Sequence, residues 1–315
     1  PEYVFLLRKN TLEVLTYQSK KSVDIWMENY KILEDKNVNS IILTPKESKE
    51  EYLNKIRTIK DHIQKGDIYE LNYCVEYYAR EILKDPESLF IKLNNITRNP
   101  FSSFLHMKNH YVMCASPERF LRKDGPSVIS QPIKGTIKRG SNPSEDKMLI
   151  NKLRDSQKDI SENVMIIDLV RNDLSRTANR SSVNVDDFCS VYTFDRIHQM
   201  ISTISSEVAQ DCHFTNILET TFPMGSMTGA PKVKAMELIE KYEESSRGIF
   251  SGSIGYISPK GDFDFNVVIR SIIYNKEKEY ISAGVGGAIT IRSDEYSEYD
   301  ECLLKIAPIL EALIN

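Results

Sequence analysis

The sequence lacks long apolar runs, and no segment approaches the roughly 20 apolar residues that a membrane-spanning helix requires. It also lacks blocks of like charge: 41 lysines and arginines stand against 45 aspartates and glutamates, for a net charge of -4, with no basic tail. Proteins that bind nucleic acid usually carry a basic patch or stripe. We therefore expect a soluble, cytoplasmic protein that binds neither nucleic acid nor a membrane.

Cysteine is scarce, with five residues that are scattered along the chain and form no CxxC pair. An odd number at irregular spacing predicts free thiols in a reducing compartment, and neither a disulfide framework nor a zinc site. A chain of 315 residues also buries enough surface to be stable without a metal or a disulfide. Any bound metal would therefore be expected to take part in catalysis and not in stabilising the fold.

Segments typical of strands occur in meander-like groups, with helical patterns between the groups. This arrangement predicts an α+β fold with layered mixed or antiparallel β-sheets flanked by helices. The length of 315 residues favours about two domains. We assign residues 1–45 to a β-rich N-terminal segment packed on the core and residues 46–315 to the main domain.

Two helices have clear sequence signals. Ser48 and Glu51 form a capping-box pattern, and apolar residues recur at helical spacing until Gly66. A longer helical pattern covers SQKDISENVMIIDLVRNDLS, residues 156–175. Before it, a strand is predicted at residues 128–133, and residues 134–146 are predicted to form a polar loop.

Two pairs of acidic residues repeat one spacing on two predicted helices. Asp159 and Glu162 are three residues apart, as are Glu298 and Glu301, so each pair shares a helix face. If the two faces meet, four carboxylates would suit a hard cation such as Mg²⁺. Solvated helix faces are the commoner explanation of this spacing, so both interpretations stay open.

Two glycine-containing stretches could bring backbone close to a ligand. GSMTGAPK, residues 225–232, could direct backbone N–H groups and Lys232 at an anion, or could be a structural turn. AGVGG, residues 283–287, could line a carboxylate site or form a bulge. The residue pattern alone does not choose between these interpretations.

Lys134 follows Ile133 at the predicted strand end, and a lysine there is most often a surface residue with a buried stem. A nucleophilic lysine must instead lose its proton, and Glu118 could act as the matching acid. His198 fits a strand pattern, where a buried structural histidine is the commoner case.

Taken in order, the motifs SPERF, PIKGT, KDISENVMIIDLVRND, GSMTGAPK, RGIFSGSIGY, AGVGG and EYDECLLK resemble the signatures of the chorismate-utilising enzymes. This family includes anthranilate, aminodeoxychorismate, isochorismate and salicylate synthases. The resemblance runs from about residue 48 to the end of the chain. Several motifs in the family's order are much more specific than any one of them, and they imply the family's fold and a Mg²⁺-dependent reaction of chorismate.

The resemblance also implies residue roles. Glu162 and Glu301 would bind Mg²⁺ directly, and Asp159 and Glu298 would hold its waters. Glu118 would be the general acid for the departing C4 hydroxyl, and His198 would lie near the ring with a catalytic role. The implied substrate-binding residues are Thr136, Thr228, Arg270, Gly286, Gly287 and Lys305.

Lys134 distinguishes branches of the family. PIKGT with lysine resembles the branch that adds ammonia at C4 of chorismate to give 4-amino-4-deoxychorismate for p-aminobenzoate and folate. In that branch the lysine amine would first attack C2, and ammonia would then enter at C4 and expel it. The ammonia would come from a separate glutaminase subunit, because this chain shows no amidotransferase signature.

Glu70 in GDIYE departs from the family pattern, where amine-adding members have glutamine and water-adding members have lysine. We hypothesise that Glu70 deprotonates ammonium, although it could also activate water. The alternatives are anthranilate synthase, which Lys134 opposes, and isochorismate or salicylate synthase, which the missing lysine at position 70 opposes. A catalytically silent chorismate-binding subunit is a further alternative, which the intact acidic pairs oppose.

The N-terminal part is shorter than in the longer relatives and lacks a leucine-leucine-glutamate-serine motif. We therefore do not expect inhibition by tryptophan.

Overall fold

The structure, a computed structural model, describes residues 2–29 and 40–314 and divides into two units, residues 1–36 and 37–315. The first unit contains β1 (Tyr3–Arg8), β2 (Thr11–Thr16) and α1 (Lys20–Asn29). Strands β1 and β2 form an antiparallel hairpin in the segment predicted to be β-rich, whereas α1 was not predicted. The packing of this segment on the core stays a prediction.

The second unit contains two seven-stranded sheets. The first sheet consists of β3 (Thr44–Pro45), β4 (Glu70–Arg80), β5 (Phe101–Met107), β6 (His110–Ser116), β12 (Gly229–Ala230), β15 (Ser271–Asn275) and β16 (Tyr280–Ile289). The second sheet consists of β7 (Arg119–Asp124), β8 (Ser127–Gln131), β9 (Ile133–Lys138), β10 (Asn184–Thr193), β11 (Ile197–Glu207), β13 (Gly255–Ile257) and β14 (Phe263–Asn266).

The strand order of the first sheet is β12, β4, β16, β15, β6, β5, with β3 also on β4. The order of the second is β10, β11, β8, β7, β14, β13, with β9 also on β11. Each of these pairs is antiparallel. The α+β prediction is thus confirmed, and the described sheets are of the antiparallel kind.

The helices of this unit are α2 (Lys49–Gln64), α3 (Pro86–Thr97), α4 (Pro143–Arg154), α5 (Gln157–Ser175), α6 (Phe214–Thr221), α7 (Lys232–Tyr242) and α8 (Glu295–Leu313). Helix α2 begins as predicted, because Ser48 is its N-cap and exchanges both capping-box hydrogen bonds with Glu51. Gly66 follows the helix end with a left-handed φ of 83°.

Two main clusters of buried apolar side chains hold the elements together. One joins the first sheet to α2, α3, α7 and α8. The other joins the second sheet to α5 and α6, and it includes Cys74 of the first sheet. Apolar burial is the main driving force for such packing, so these clusters hold β4, α5 and α8 in place.

The predicted loop at residues 134–146 is wrong, because it contains most of β9 and the start of α4. Lys134 therefore lies inside a strand. The cause is non-local, since β9 exists through its pairing with β11, about 60 residues further along the chain. Strand β16 also continues through the glycines of AGVGG to Ile289, which the residue pattern did not indicate.

No helix in the described ranges is both long and apolar enough to cross a bilayer. All five cysteines are free thiols, and Cys74, Cys114 and Cys302 are buried.

Candidate active site

The structure brings Lys134 of β9 and Glu70 of β4 together across the two sheets. The Lys134 Nζ donates a hydrogen bond to Glu70 Oε1 at 2.9 Å, and the side chains are only 10% and 1% exposed. The second oxygen, Glu70 Oε2, is buried and has no hydrogen-bond partner. A buried ion pair with one open acceptor is a costly arrangement, which is more typical of a functional site than of a stabilising contact.

Glycine at position 229 allows Glu70 to occupy this place. Strand β12 pairs with β4 at Gly229 and Leu71, and a Cβ at Gly229 would lie 2.1 Å from the Glu70 carbonyl oxygen. Gly229 also has a φ of 149°, which disfavours other residues. The glycine of GSMTGAPK therefore serves close backbone packing beside Glu70.

Lys134 is held in its charged form. Burial alone would lower the pKa of Lys134, but the carboxylates of Glu70, Glu162 and Glu118 together raise it above its usual value. An attack by this amine therefore requires a base, and Glu70 is within hydrogen-bonding distance of the proton.

Glu118 lies just before β7 and is 5% exposed. Burial raises the pKa of Glu118 to about 7, against a hydrogen bond from Ser226 and the charge of Lys134, which both lower it. A carboxyl group with this pKa is protonated for much of the time near neutral pH. It can therefore donate a proton, as the sequence-based role requires.

Asn163 of α5 was not singled out from the sequence, yet it contacts the backbone of Lys134. Its Nδ2 donates to the Lys134 carbonyl oxygen at 3.0 Å, and its Oδ1 accepts from Ser202 Oγ at 3.2 Å. The side chain of Asn163 is fully buried. A polar residue next to Glu162 on the same helix was the available sequence signal.

The two predicted acidic pairs lie near each other, with a lysine between them. Lys158 Nζ is 3.1 Å from Glu298 Oε1 and 4.0 Å from Glu162 Oε1. Burial, with smaller contributions from Glu70 and Glu298, raises the pKa of Glu162 to about 7, although Lys134 and Lys158 lower it. The raised pKa shows that a negative charge on Glu162 is poorly compensated by its surroundings, and a bound cation would stabilise that charge.

These residues fit a Mg²⁺ ion, although their present arrangement is not a finished site. Glu162 Oε1 is buried without a hydrogen-bond partner, and oxygen donors are the kind that Mg²⁺ prefers. Within residues 2–29 and 40–314, no three acidic, histidine or cysteine side chains are already grouped around one point. The ammonium of Lys158 lies between Glu162 and Glu298, and it would have to move for a metal to bind both.

Asp159 is placed less centrally than the other predicted metal residues. A Cβ on Gly135 would lie 2.9 Å from the Asp159 carboxyl group, so this side chain packs against the backbone of β9. Its predicted role in holding metal-bound water therefore stays a prediction.

The glycines of AGVGG lie beside the acidic side chains of Glu162, Glu298 and Glu301, which we call the acidic cluster. A Cβ on Gly287 would lie 3.3 Å from Glu298 Oε2 and 3.9 Å from Glu301 Oε1. Lys305 Nζ donates to the Gly286 carbonyl oxygen at 2.6 Å and pairs with Glu301 at 2.7 Å. The absence of side chains on the glycines leaves the carboxylates accessible from β16.

Arg270 provides positive charge without a fixed partner. Its side chain makes no hydrogen bond or ion pair with the part of the chain that the structure describes. Burial lowers the pKa of the guanidinium from its usual value, although Glu301 opposes this effect. A half-buried guanidinium without a partner in the described residues is well suited to a carboxylate ligand.

Other predicted ligand residues have different surroundings. Thr228 is buried, and its hydroxyl donates to the Met224 carbonyl at 3.0 Å. Thr136 is exposed on β9. Lys232, the candidate cation of GSMTGAPK, is paired with Asp173 at 2.6 Å, so it is not free to bind an anion.

The structure does not bring His198 to the group around Lys134 and Glu118. Its ring nitrogens are hydrogen-bonded to Asp146 Oδ1 and Thr193 Oγ1, each at 2.9 Å, and the side chain is fully buried. Its catalytic role stays a prediction without a supporting contact.

The next residue on β11, Gln199, is paired in register with Thr136 and points to the opposite face from His198. Its Oε1 is buried without a partner. Gln199 was not predicted as a site residue, because strand alternation alone does not show what each face of a strand packs against.

The chain is similar to known proteins of one family. Residues 6–311 match the family described as chorismate binding enzyme. The chain is 35% identical to aminodeoxychorismate synthase component 1 of Escherichia coli strain K12, over 97% of this chain and 67% of that protein. It is 38% identical to the chloroplastic aminodeoxychorismate synthase of Arabidopsis thaliana, over 86% of this chain but only 30% of that protein.

The fold is also found in solved structures. Anthranilate synthase component I from Streptococcus pneumoniae TIGR4 superposes with a TM-score of 0.84 at 25% identity, covering 96% of this chain and 70% of that chain. The chain thus spans most of a component I protein but under a third of the plant relative.

Proposed function

The chain belongs to the chorismate binding enzyme family, and we propose that it converts chorismate and ammonia to 4-amino-4-deoxychorismate through a bond to Lys134. The observation that carries the proposal is the buried hydrogen bond from Lys134 to Glu70. A buried lysine–glutamate pair is seldom needed for stability, because well-packed apolar residues of similar volume often stabilise a core at least as well. The names of the relatives that match this chain support the same reaction.

In the first half-reaction, Glu70 takes a proton from Lys134, and the freed amine attacks C2 of chorismate. Both conjugated ring double bonds shift by one position around the ring, the bond from C4 to oxygen breaks, and Glu118 gives its proton to the departing hydroxyl, which leaves as water. From the sequence, Glu70 was expected to deprotonate ammonium. The 2.9 Å hydrogen bond gives it a nearer proton, that of Lys134.

In the second half-reaction, an ammonium ion gives a proton to the ionised Glu118, and the resulting ammonia attacks C4. Both double bonds shift back, the bond from C2 to Lys134 breaks, and Lys134 recovers its proton from Glu70. Both acids return to their starting states, and the net change is replacement of the C4 hydroxyl by an amino group. The two displacements together keep the ring double bonds in place.

Arg270 would hold a substrate carboxylate, together with the backbone of Gly286 and Gly287. Lys305 is paired with Glu301, so it would join them only when Glu301 turns to a metal ion. Glu162, Glu298 and Glu301 would hold a Mg²⁺ ion, which would supply Lewis-acid assistance and orient a substrate carboxylate.

The proposal includes two features of context. A glutaminase subunit would supply the ammonia, as the term component 1 in the name of the Escherichia coli relative suggests. A reducing compartment, the cytoplasm, is consistent with five free thiols. The proposed product, 4-amino-4-deoxychorismate, would be used for the synthesis of p-aminobenzoate and folate.

Isochorismate formation is the second candidate, and one observation favours it. Glu70 Oε2 is buried without a hydrogen-bond partner, so a carboxylate oxygen is available to activate water. Against this candidate, Glu70 Oε1 is already bonded to Lys134.

Product identification separates the candidates. The purified chain would be mixed with chorismate and Mg²⁺, with and without ammonium, and the products identified by mass spectrometry. We expect 4-amino-4-deoxychorismate only when ammonium is present. Anthranilate, or isochorismate or salicylate formed without ammonium, would reject the proposal, and no turnover would indicate a silent binding subunit.

A further inference from the structure

The strand that carries Lys134 is interrupted at that residue. Between Gln199 and Ile201 of β11 the register shifts, so that one residue of β11 lies opposite both Lys134 and Gly135 of β9. Gly135 adopts a φ of 85°, a left-handed conformation that suits glycine. A bulge of this kind removes backbone groups from the regular ladder and redirects a side chain.

At the bulge, the side chain of Asn163 supplies a hydrogen bond in place of the regular backbone ladder. Its Nδ2 donates to the Lys134 carbonyl oxygen at 3.0 Å and to the Asp159 carbonyl oxygen at 3.2 Å. Its Oδ1 accepts from Ser202 Oγ of β11 at 3.2 Å. The fully buried amide therefore links α5, β9 and β11 at one point, and its orientation is fixed by bonds on both sides.

Close approach of α5 to the bulge depends on Gly135. A Cβ at that position would lie 2.9 Å from the Asp159 carboxyl group. Glu162, one of the acidic cluster, precedes Asn163 on α5. The helix that presents a proposed metal ligand thus also holds the backbone of the proposed nucleophile.

We propose that Asn163 is a positioning residue, which holds the bulge of β9 so that the Lys134 amine is directed at the substrate ring. The proposal rests on the proposed function, because it concerns the same lysine. Asn163 itself touches neither reacting atom. Its effect acts through geometry, and a small misplacement of a reacting group can lower a rate by about 100-fold.

The test compares two buried asparagines. Asn163→Ala removes the bond to the Lys134 carbonyl, and Asn266→Ala is the matched control. Asn266 is also buried, with its amide donating to the Phe101 carbonyl at 2.9 Å and accepting from the Ile254 N–H at 3.0 Å. Both variants should lose thermal stability, because each leaves backbone groups unpaired.

The readout is the single-turnover rate with ammonium, measured together with KM for chorismate. We expect Asn163→Ala to lower this rate by about 10- to 100-fold with KM changed by less than about threefold, whereas Asn266→Ala keeps the rate. Ser202→Ala, which removes one of the bonds that orient the amide, should lower the rate by a smaller factor. It serves as the test if Asn163→Ala does not fold.

A double variant separates positioning from general damage. In a Lys134→Ala background, Asn163→Ala should not lower the residual rate further, because its effect acts through Lys134. An additional loss there, or a loss in Asn163→Ala no greater than in Asn266→Ala, would overturn the inference. If Lys134→Ala instead has the rate of the parent chain, the proposed function has failed and the inference with it.

Discussion

Two neighbouring regions of the candidate active site use the same residue types and differ in burial. In the nucleophile pocket, Lys134 is 10% exposed and bonded to Glu70, which is 1% exposed. In the acidic cluster, Lys158 is 44% exposed and contacts Glu298, which is 2% exposed. The carboxylates are therefore buried in both regions, whereas Lys158 is much more exposed than Lys134.

This difference assigns different tasks to the two lysines. A buried ammonium cannot leave its carboxylate without a large desolvation cost, so Lys134 stays in the cleft and reacts there. A half-exposed ammonium can move into water at little cost, so Lys158 can give way to a metal ion. The nucleophile pocket keeps its cation, and the acidic cluster can exchange it.

The largest effect should come from removing the buried cation. Lys134→Ala should lower the rate of 4-amino-4-deoxychorismate formation by about 100- to 1000-fold, or about 3 to 4 kcal/mol in the barrier. The rate would be measured with chorismate, Mg²⁺ and ammonium at saturation. Lys138→Ala, at the end of the same strand, is the control and should keep the rate. Equal rates in both variants would remove the distinction between the two regions.

Glu118→Gln should lower kcat by about 100-fold, because it removes the proton donor. Burial raises the pKa of Glu118 to about 7, so the donating, protonated form dominates below that pH and is lost above it. The parent chain should therefore lose kcat as the pH rises through about 7. The variant should have no such limb in its profile of kcat against pH. A parent profile that is flat from pH 6 to 8 would contradict the role of Glu118.

The acidic cluster should respond through metal affinity. Glu162→Gln should raise the half-saturating Mg²⁺ concentration by at least about tenfold, whereas Asp159→Asn should change it by less than about threefold. Lys158→Met should lower that concentration, because it removes the competing ammonium. Titration of the rate with Mg²⁺ after treatment with a chelator measures all three. A higher Mg²⁺ requirement in Lys158→Met would show that this lysine does not exchange with the metal.

The smallest effect should come from the glycine that borders the cluster. Gly287→Ala places a Cβ 3.3 Å from Glu298 Oε2, which is tight but leaves room for a small shift of the carboxylate. We expect a rise of about two- to fivefold in KM for chorismate or in the Mg²⁺ requirement, with little change in thermal stability. Unchanged values would place the glycine outside the cleft.

Local patterns allowed much of the fold to be predicted. The capping box at Ser48 and the periodicity of residues 156–175 gave α2 and α5 because both signals lie within one helix. Strand β9 was assigned to a loop because its pairing with β11 is distant in sequence and interrupted by a bulge. Its sequence, with Gly135 inside it, has the local signal of a turn.

The site was predictable in its residue types but not in its contacts. Resemblance selected Lys134, Glu118 and Glu70, whereas their pairing depends on how two sheets meet. Asn163 and Lys158 were missed, although both lie within one turn of Glu162 on α5, because a helix face alone does not show what it packs against.

The most direct test of the account is the covalent state of Lys134. The chain would be mixed with chorismate and Mg²⁺ without ammonium, quenched with acid within one turnover, and analysed by intact-protein and peptide mass spectrometry. The account predicts a mass increase equal to chorismate less one water, located on the peptide that contains Lys134. An unmodified Lys134, in a sample that goes on to form 4-amino-4-deoxychorismate when ammonium is added, would contradict it.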